Sequence, residues 1–223
     1  MKNKKDLFWI TPGLLILGAL VAYAFFGTGG RRPGSNSSDN SDAFVLNQFH
    51  SIQGTSILVA TVEQESDGLE EISARWFNFR NGYGASNLIF LDANTLSSHT
   101  LFETNSHVII GLYQFPSPNF DSNSKADQVE VKWLVYEIAK SDTNSDGRID
   151  GRDLFVVALS DVDGSNYTEV IENVQDIQGM NLLDGNILLL VYDSNGTYTV
   201  AKVDLSQRNI IDSKPLTGGW ESP

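Results

Sequence analysis

Residues 133–159 read WLVYEIAKSDTNSDGRIDGRDLFVVAL, and this stretch decides the fold. Its two ends, Trp133–Ile138 and Leu154–Leu159, are short, apolar and rich in β-branched or aromatic residues, which favours β-strands. Between them, Ser141–Asp153 consists mostly of aspartate, asparagine, serine and glycine, the residues that form turns. The pattern therefore predicts two strands joined by a long acidic loop.

The polar side chains of this loop alternate in the order that a calcium ion requires. Calcium takes six to eight oxygen ligands, which a twelve-residue loop supplies from positions 1, 3, 5, 7, 9 and 12. Glycine at position 6, here Gly147, allows the sharp turn that brings the carbonyl of position 7 round to the ion. The predicted ligands are the side chains of Asp142, Asn144, Asp146, Asp150 and Asp153 and the main-chain carbonyl of Arg148. A plain turn that binds no ion is the alternative, because these residues are also good turn formers.

The loop resembles that of EF-hand proteins, and more closely the dockerin variant, which tolerates aspartate at the last position, here Asp153. It differs from the EF-hand in two ways. Aspartate is shorter than the usual glutamate, and the flanking segments read as strands rather than helices. An acidic loop that runs into a strand is also similar to the calcium loops of FG-GAP propeller repeats, as in integrin α-chains. Both resemblances cover this loop alone, and both imply Ca²⁺ as the ion.

The chain is acidic, and its charge is unevenly placed. The formal net charge is −13, but residues 1–32 hold five basic residues and one acid, so the acidic excess lies in the remainder. Such a surface repels phosphate backbones, which argues against nucleic acid as a partner, and it suits cations or basic proteins. The absence of cysteine excludes disulfides, thiolate metal sites and cysteine nucleophiles.

The amino-terminal stretch Leu7–Phe26 contains no charged residue and is long enough to cross a bilayer as a helix, which needs about 20 residues. Three lysines precede it and two arginines follow it, so with the free amino group the bias orients the amino terminus toward the cytoplasm. Residues 1–26 are thus predicted to be a cytoplasmic stub and a transmembrane anchor. The alternative is a signal peptide that is cleaved near Ala24 and releases a secreted protein.

Residues 27–42 are rich in glycine, serine and asparagine and predict a flexible linker. Residues 43–223 then form an exported domain in the periplasm or outside the cell. In this domain apolar runs alternate with turn clusters, and no long stretch has helical periodicity, which predicts an all-β fold.

Three segments of the domain share one pattern, an apolar strand, a turn with aspartate and serine, and a second strand. They are Leu88–Phe102, Leu154–Ile171 and Thr197–Leu216. A pair of strands precedes each segment: Val45–Phe49 with Ser56–Thr61, His107–Tyr113 with Val131–Ile138, and Ile177–Leu183 with Asn186–Tyr192. The sequence therefore predicts three units of about four antiparallel strands.

The connection between the second and third strands differs among the units. It is a long insert, Glu63–Gly84, in the first, the acidic loop in the second, and a turn containing Asn195-Gly196, which favours type I′, in the third. Variable hairpins on a repeated frame resemble β-propeller blades. Propellers normally close with four to eight blades, so three units imply either a homodimer of six units or an open assembly. A β-sandwich is the alternative fold.

Together these features predict a membrane-anchored, extracytoplasmic calcium-binding module that binds or displays an unidentified protein partner. Calcium would have a mainly structural role. The sequence contains no P-loop, no G-x-S-x-G and no G-x-G-x-x-G, so we predict no catalytic residue, no organic cofactor and no enzymatic activity. The alternative function is an exported hydrolase that calcium stabilises.

Overall fold

The computed structural model describes residues 44–64, 84–118 and 129–218, which belong to one compact unit of the chain. Every regular element among these residues is a β-strand. The prediction of an all-β domain is therefore confirmed for the part of the chain that the structure describes.

The strands form three antiparallel sheets, each built from strands that follow one another in the chain. The first sheet contains β1 (Phe44–Leu46), β2 (His50–Ser51), β3 (Ile57–Gln64), β4 (Asn87–Asp92) and β5 (Ser98–Thr100), in the order β1-β3-β4-β5 with β2 also beside β3. The middle sheet contains β6 (Val108–Phe115), β7 (Trp133–Ala139), β8 (Phe155–Asp161) and β9 (Thr168–Val174), in that order. The last sheet contains β10 (Asp176–Leu182), β11 (Ile187–Ser194), β12 (Thr197–Asp204) and β13 (Asn209–Pro215), in that order.

Each predicted unit is one of these sheets, so the prediction of three antiparallel units of about four strands is confirmed. The described residues form three sheets, whereas a β-sandwich has two.

The three sheets repeat one another in their register. In each sheet the pairing of the first strand with the second shifts by one residue after an equivalent cross-strand pair, directly after it in the middle and last sheets and before His50↔Val59 in the first. These pairs are Leu46↔Val62, Ile109↔Ile138 and Ile177↔Tyr192. One extra residue in the first strand, a β-bulge, accounts for each shift. In the first sheet this irregularity separates β1 from β2. The strand predicted over Val45–Phe49 is therefore wrong in its second half, because β1 ends at Leu46 and β2 begins at His50.

An aspartate ends the third strand of each sheet and anchors the turn to the fourth strand. These residues are Asp92, Asp161 and Asp204. In the first sheet, Ser56 Oγ donates to Asp92 Oδ1 at 2.8 Å, and in the last sheet Asn186 Nδ2 donates to Asp204 Oδ1 at 3.0 Å. Asp161 differs, because Arg208 of the last sheet donates to its carboxylate. That ion pair links the middle sheet to the last sheet.

The middle sheet lies between the other two and is buried on both faces. Side chains alternate across a strand, so Leu134 packs in the cluster shared with the first sheet and its neighbour Val135 in the cluster shared with the last. Burial of both faces explains why β7 and β8 read as nearly continuous apolar runs in the sequence.

Within residues 44–64, 84–118 and 129–218, no helix is long and apolar enough to cross a membrane. The predicted span Leu7–Phe26 and the predicted linker 27–42 lie outside these residues, as does most of the predicted insert Glu63–Gly84.

Candidate metal centre

The acidic loop connects β7 to β8 at one end of the middle sheet. The pair Ala139↔Phe155 closes the ladder between these antiparallel strands, so strands flank the loop as the sequence predicts. The equivalent connection in the last sheet is the two-residue turn Asn195-Gly196. Both of its residues have positive φ, 53° and 77°, as a type I′ turn requires. The loop is thus an elaborated hairpin connection on a repeated frame.

Asp142 organises the first half of the loop. Its Oδ1 accepts the backbone N–H groups of Ser145 at 2.6 Å and Asp146 at 3.2 Å, and its Oδ2 accepts that of Gly147 at 2.8 Å. Gly147 has φ +87°, a conformation that costs a non-glycine residue about 1–2 kcal/mol. The backbone therefore wraps around the first predicted ligand, with glycine where the turn requires it.

The next predicted ligands continue this turn. Asn144 Oδ1 accepts the N–H of Asp146 at 2.9 Å, and Asp146 Oδ1 accepts the N–H of Arg148 at 3.0 Å. Side chains of Asp and Asn often bond the backbone two residues ahead in this way. The alternating spacing seen in the sequence is thus an alternation of side-chain acceptors and backbone donors along the loop.

Asp153 ties the end of the loop to its beginning and is only 3% exposed. Its Oδ1 accepts the backbone N–H of Thr143 at 2.7 Å, the Thr143 hydroxyl at 3.1 Å and the N–H of Asn144 at 3.2 Å. Its Oδ2 accepts the N–H of Asp150 at 2.9 Å. Thr143 Oγ1 in turn accepts the N–H of Leu154 at 2.8 Å. One carboxylate thus fixes both ends of the loop.

These donors keep Asp153 ionised. Burial by itself raises the pKa of a carboxyl group, but the N–H groups of Asp150, Thr143 and Asn144 outweigh it. The pKa of Asp153 is therefore held below its ordinary value of 3.8.

Arg152 bridges two of the predicted ligands. Its Nη2 lies 2.8 Å from Asp146 Oδ2 and 2.6 Å from Asp150 Oδ2, and its Nε also donates to Asp150. The hydrogen bond from Arg152 lowers the pKa of Asp150, and the same contact raises the pKa of the guanidinium. The Arg152 guanidinium thus contacts two carboxylates that the loop spacing predicts as metal ligands.

The loop spacing identifies Arg148 through its carbonyl and does not single out Arg152. The available signal was the run Asp150-Gly151-Arg152, because a side chain in a tight turn can reach back two residues. Spacing does not decide which of the two arginines in the loop turns toward the carboxylates.

Within the part of the chain that the structure describes, no three His, Asp or Glu side chains form a group that could hold a metal ion. The predicted ligands Asp142, Asn144, Asp146, Asp150 and Asp153 lie in one loop, but their oxygens face backbone N–H groups and Arg152. The donor type still suits calcium, which prefers carboxylate and carbonyl oxygen. The ligand set therefore stays a prediction.

A cavity of about 220 Å³ adjoins the loop. Its lining includes Ser141, Thr143 and Leu154 from the loop side and Glu169 from β9. Lys140 Nζ lies 2.9 Å from Glu169 Oε1, so the charge of that glutamate is balanced within the lining.

Comparison with known protein families finds no family model that matches the chain, and comparison with curated proteins finds no relative. The inference of function therefore depends on the residues themselves.

Proposed function

We propose that this chain is a membrane-anchored, extracytoplasmic β-repeat module that binds Ca²⁺ in the loop Asp142–Asp153 and scaffolds a protein partner. The observation that carries the calcium proposal is the set of hydrogen bonds on Asp142. Its carboxylate gathers the N–H groups of Ser145, Asp146 and Gly147, so the backbone turns where a calcium loop must turn.

The residues that would hold the ion are those that the spacing identifies: Asp142, Asn144, Asp146, Arg148 through its carbonyl, Asp150 and Asp153. Bound calcium would neutralise clustered carboxylates. Because the loop joins two strands of the middle sheet, the ion would stabilise that hairpin by binding the folded state and not the unfolded one. The proposed role of calcium is therefore structural.

Arg152 is the residue with which calcium would compete. Its guanidinium already neutralises Asp146 and Asp150, which are the proposed ligands at positions 5 and 9. Release of these oxygens requires Arg152 to leave them. Calcium binding would thus exchange the contacts of Arg152 with these two carboxylates for contacts with the ion.

Calorimetric titration of the chain with CaCl₂ tests this proposal. We expect a single site in the wild type, and we expect Asp142→Ala and Asp146→Ala to abolish the heat. Arg152→Gln should raise calcium affinity a few-fold, because it removes the exposed cation that contacts the Asp146 and Asp150 oxygens. The rise in melting temperature from chelator to calcium should follow the same order: largest for Arg152→Gln, smaller for the wild type, and absent for Asp142→Ala and Asp146→Ala.

Arg148→Gln is the matched control. It removes the same charge from the same loop and keeps the backbone carbonyl, but the Arg148 side chain holds no carboxylate in the described contacts. Its effect on affinity should be several times smaller than that of Arg152→Gln. Absence of both heat and a melting shift in the wild type contradicts the calcium proposal, and equal effects of the two substitutions contradict the competition.

The proposed location depends on the uncharged stretch Leu7–Phe26 and the lysines before it. We expect the full-length chain to remain with the membrane after a carbonate wash and to retain its original amino terminus. Protease added from the extracytoplasmic side should degrade the β domain while the stub is protected. A mature chain that begins near Tyr23 or Phe25 contradicts the anchor and supports a cleaved signal peptide.

The repeat of three stacked sheets supports a propeller-like arrangement as the finer description of the fold. The shared bulge after Leu46, Ile109 and Ile177 and the turn aspartate that ends each third strand favour a repeated unit. A repeated frame with variable hairpins suits a scaffold, because the connections can change while the stacked sheets stay the same.

A further inference from the structure

The middle sheet uses one face to pack against the first sheet and the other to pack against the last. We call these the rear face and the front face. The rear-face residues of the middle sheet include Leu134, Tyr136, Val156 and Ala158. The front-face residues of the middle sheet include Val135, Val157 and Leu159, and they meet the rear face of the last sheet, which includes Leu188, Leu190 and Ala201.

The register shows which residues are equivalent. Ile57, Trp133 and Ile187 pair with the turn aspartates of their sheets, so positions can be counted from these pairs. By this count Leu58 of the first sheet corresponds to Leu134 and Leu188, and Ile89 corresponds to Ala158 and Ala201. The rear face of every sheet is therefore apolar at the same positions.

Two of these faces have no sheet against them among the described residues. The rear face of the first sheet presents Leu58, Val62, Ile89 and Leu91. The front face of the last sheet presents Leu189, Val191 and Val200, with the exposed Lys202 at the position that Leu159 occupies in the middle sheet. All seven apolar side chains are partly exposed, and none belongs to either hydrophobic core cluster. One chain thus carries at its two ends partly exposed apolar side chains at positions equivalent to those that join sheets inside it.

We infer that a second copy of this chain stacks on these faces, head to tail. The front face of the last sheet of one copy packs on the rear face of the first sheet of the other. The contact continues the stacking already present between the first and middle sheets and between the middle and last sheets. A head-to-tail contact made twice closes two copies into a ring of six sheets and leaves neither face open. The inference depends on the sheets alone, and neither calcium nor the membrane anchor enters it.

Cross-linking between single-cysteine variants tests the orientation, since the natural chain has no cysteine. Val200→Cys marks the front face of the last sheet and Ile89→Cys the rear face of the first. Their equivalents within the chain, Leu88 and Ala158, share one core cluster. Stacked sheets lie about 10 Å apart, which a disulfide cannot span, so a short bismaleimide is the suitable reagent.

A mixture of the two full-length variants, solubilised in detergent, should give a cross-linked pair, and each variant alone should give none. A mixture of Thr197→Cys with Ile89→Cys is the control for random collision, because Thr197 lies at the exposed end of the β11–β12 hairpin. A product from Val200→Cys alone means that like faces meet and overturns the head-to-tail stacking. Equal yields in the test and control mixtures overturn it as well.

Sedimentation of the full-length wild type should give twice the chain mass of 24.5 kDa after subtraction of the detergent. Val191→Lys should halve that mass, because it places a charge on the stacking face, while Thr197→Lys should not change it. Circular dichroism should show the same strand content for all three proteins, since Val191 is on the surface of a single copy. A wild type that sediments as a monomer at its highest soluble concentration overturns the inference.

Discussion

Replacement of Gly164 by alanine is expected to destabilise the folded chain by about 3–4 kcal/mol. A Cβ at this position would lie 2.4 Å from Phe90 Cε2 and 2.7 Å from Phe90 Cδ2. The ring cannot withdraw, because Phe90 is 1% exposed and lies in the core cluster between the first and middle sheets. The φ of +81° adds the strain of a left-handed conformation to the overpacking.

Urea unfolding measures this effect, and Gly196→Ala separates its two causes. Gly196 has φ +77° and no atom within 4 Å of its added Cβ, so its substitution carries the conformational strain alone, about 1–2 kcal/mol. Phe90→Leu introduced beside Gly164→Ala should recover part of the loss, and a double-mutant cycle measures that coupling. Equal losses for the two glycine substitutions would show that Gly164 does not contact Phe90 in the folded protein.

The second large effect is expected from Asp153→Ala, which should destabilise the chain by about 3 kcal/mol. The substitution leaves the N–H groups of Thr143, Asn144 and Asp150 without their acceptor. A donor without a partner costs about 1–3 kcal/mol where water cannot reach it, and less for Thr143 and Asn144, which are exposed. The loop should also lose its affinity for calcium, since its two ends are no longer held together.

The pH dependence gives this prediction a second measurement. The pKa of Asp153 is below 3.8 in the folded chain, so the unfolded chain binds the proton more tightly. The stability that the ionised carboxylate contributes is therefore present above about pH 4 and is lost as the pH falls through the folded pKa. Asp153→Ala should consequently lose less stability than the wild type when the pH is lowered from 7 to 3.

Asp212→Ala is the control, because Asp212 lies on the exposed edge strand β13 and its nearest cation, Lys214 Nζ, is 4.0 Å away. Its unfolding free energy should equal that of the wild type within about 0.5 kcal/mol. If Asp153→Ala matches Asp212→Ala at both pH values, the carboxylate of Asp153 does not close the loop.

Local sequence patterns were sufficient to predict most of the strands and the three units in which they pair. Apolar runs such as Leu154–Leu159 form strands because β-branched and aromatic side chains suit a pleated surface, and Asn195-Gly196 forms a type I′ turn because both residues tolerate positive φ. These preferences act between residues close in the chain. The three units and the acidic loop between two strands followed from them.

The contacts within the loop were predictable only in part. Spacing predicted a sharp turn at Gly147, which the structure shows at φ +87°, and named Asp142 only as the first ligand. Spacing did not show that the Arg152 guanidinium pairs with the carboxylates of Asp146 and Asp150. Nor did it show that the Asp153 carboxylate accepts hydrogen bonds from backbone N–H groups at the start of the loop. Those contacts depend on how the loop closes in three dimensions.

The sequence by itself determined that the part of the chain that the structure describes is all-β, with three repeated units and an acidic hairpin loop in the middle one. Only the tertiary structure decided that the middle sheet is buried on both faces and that Arg208 reaches Asp161 in the neighbouring sheet. The physical reason is the separation along the chain of the residues that interact. Strand and turn preferences are set within a few residues, whereas stacking joins side chains far apart in the chain, and alternation alone does not say which face meets which sheet.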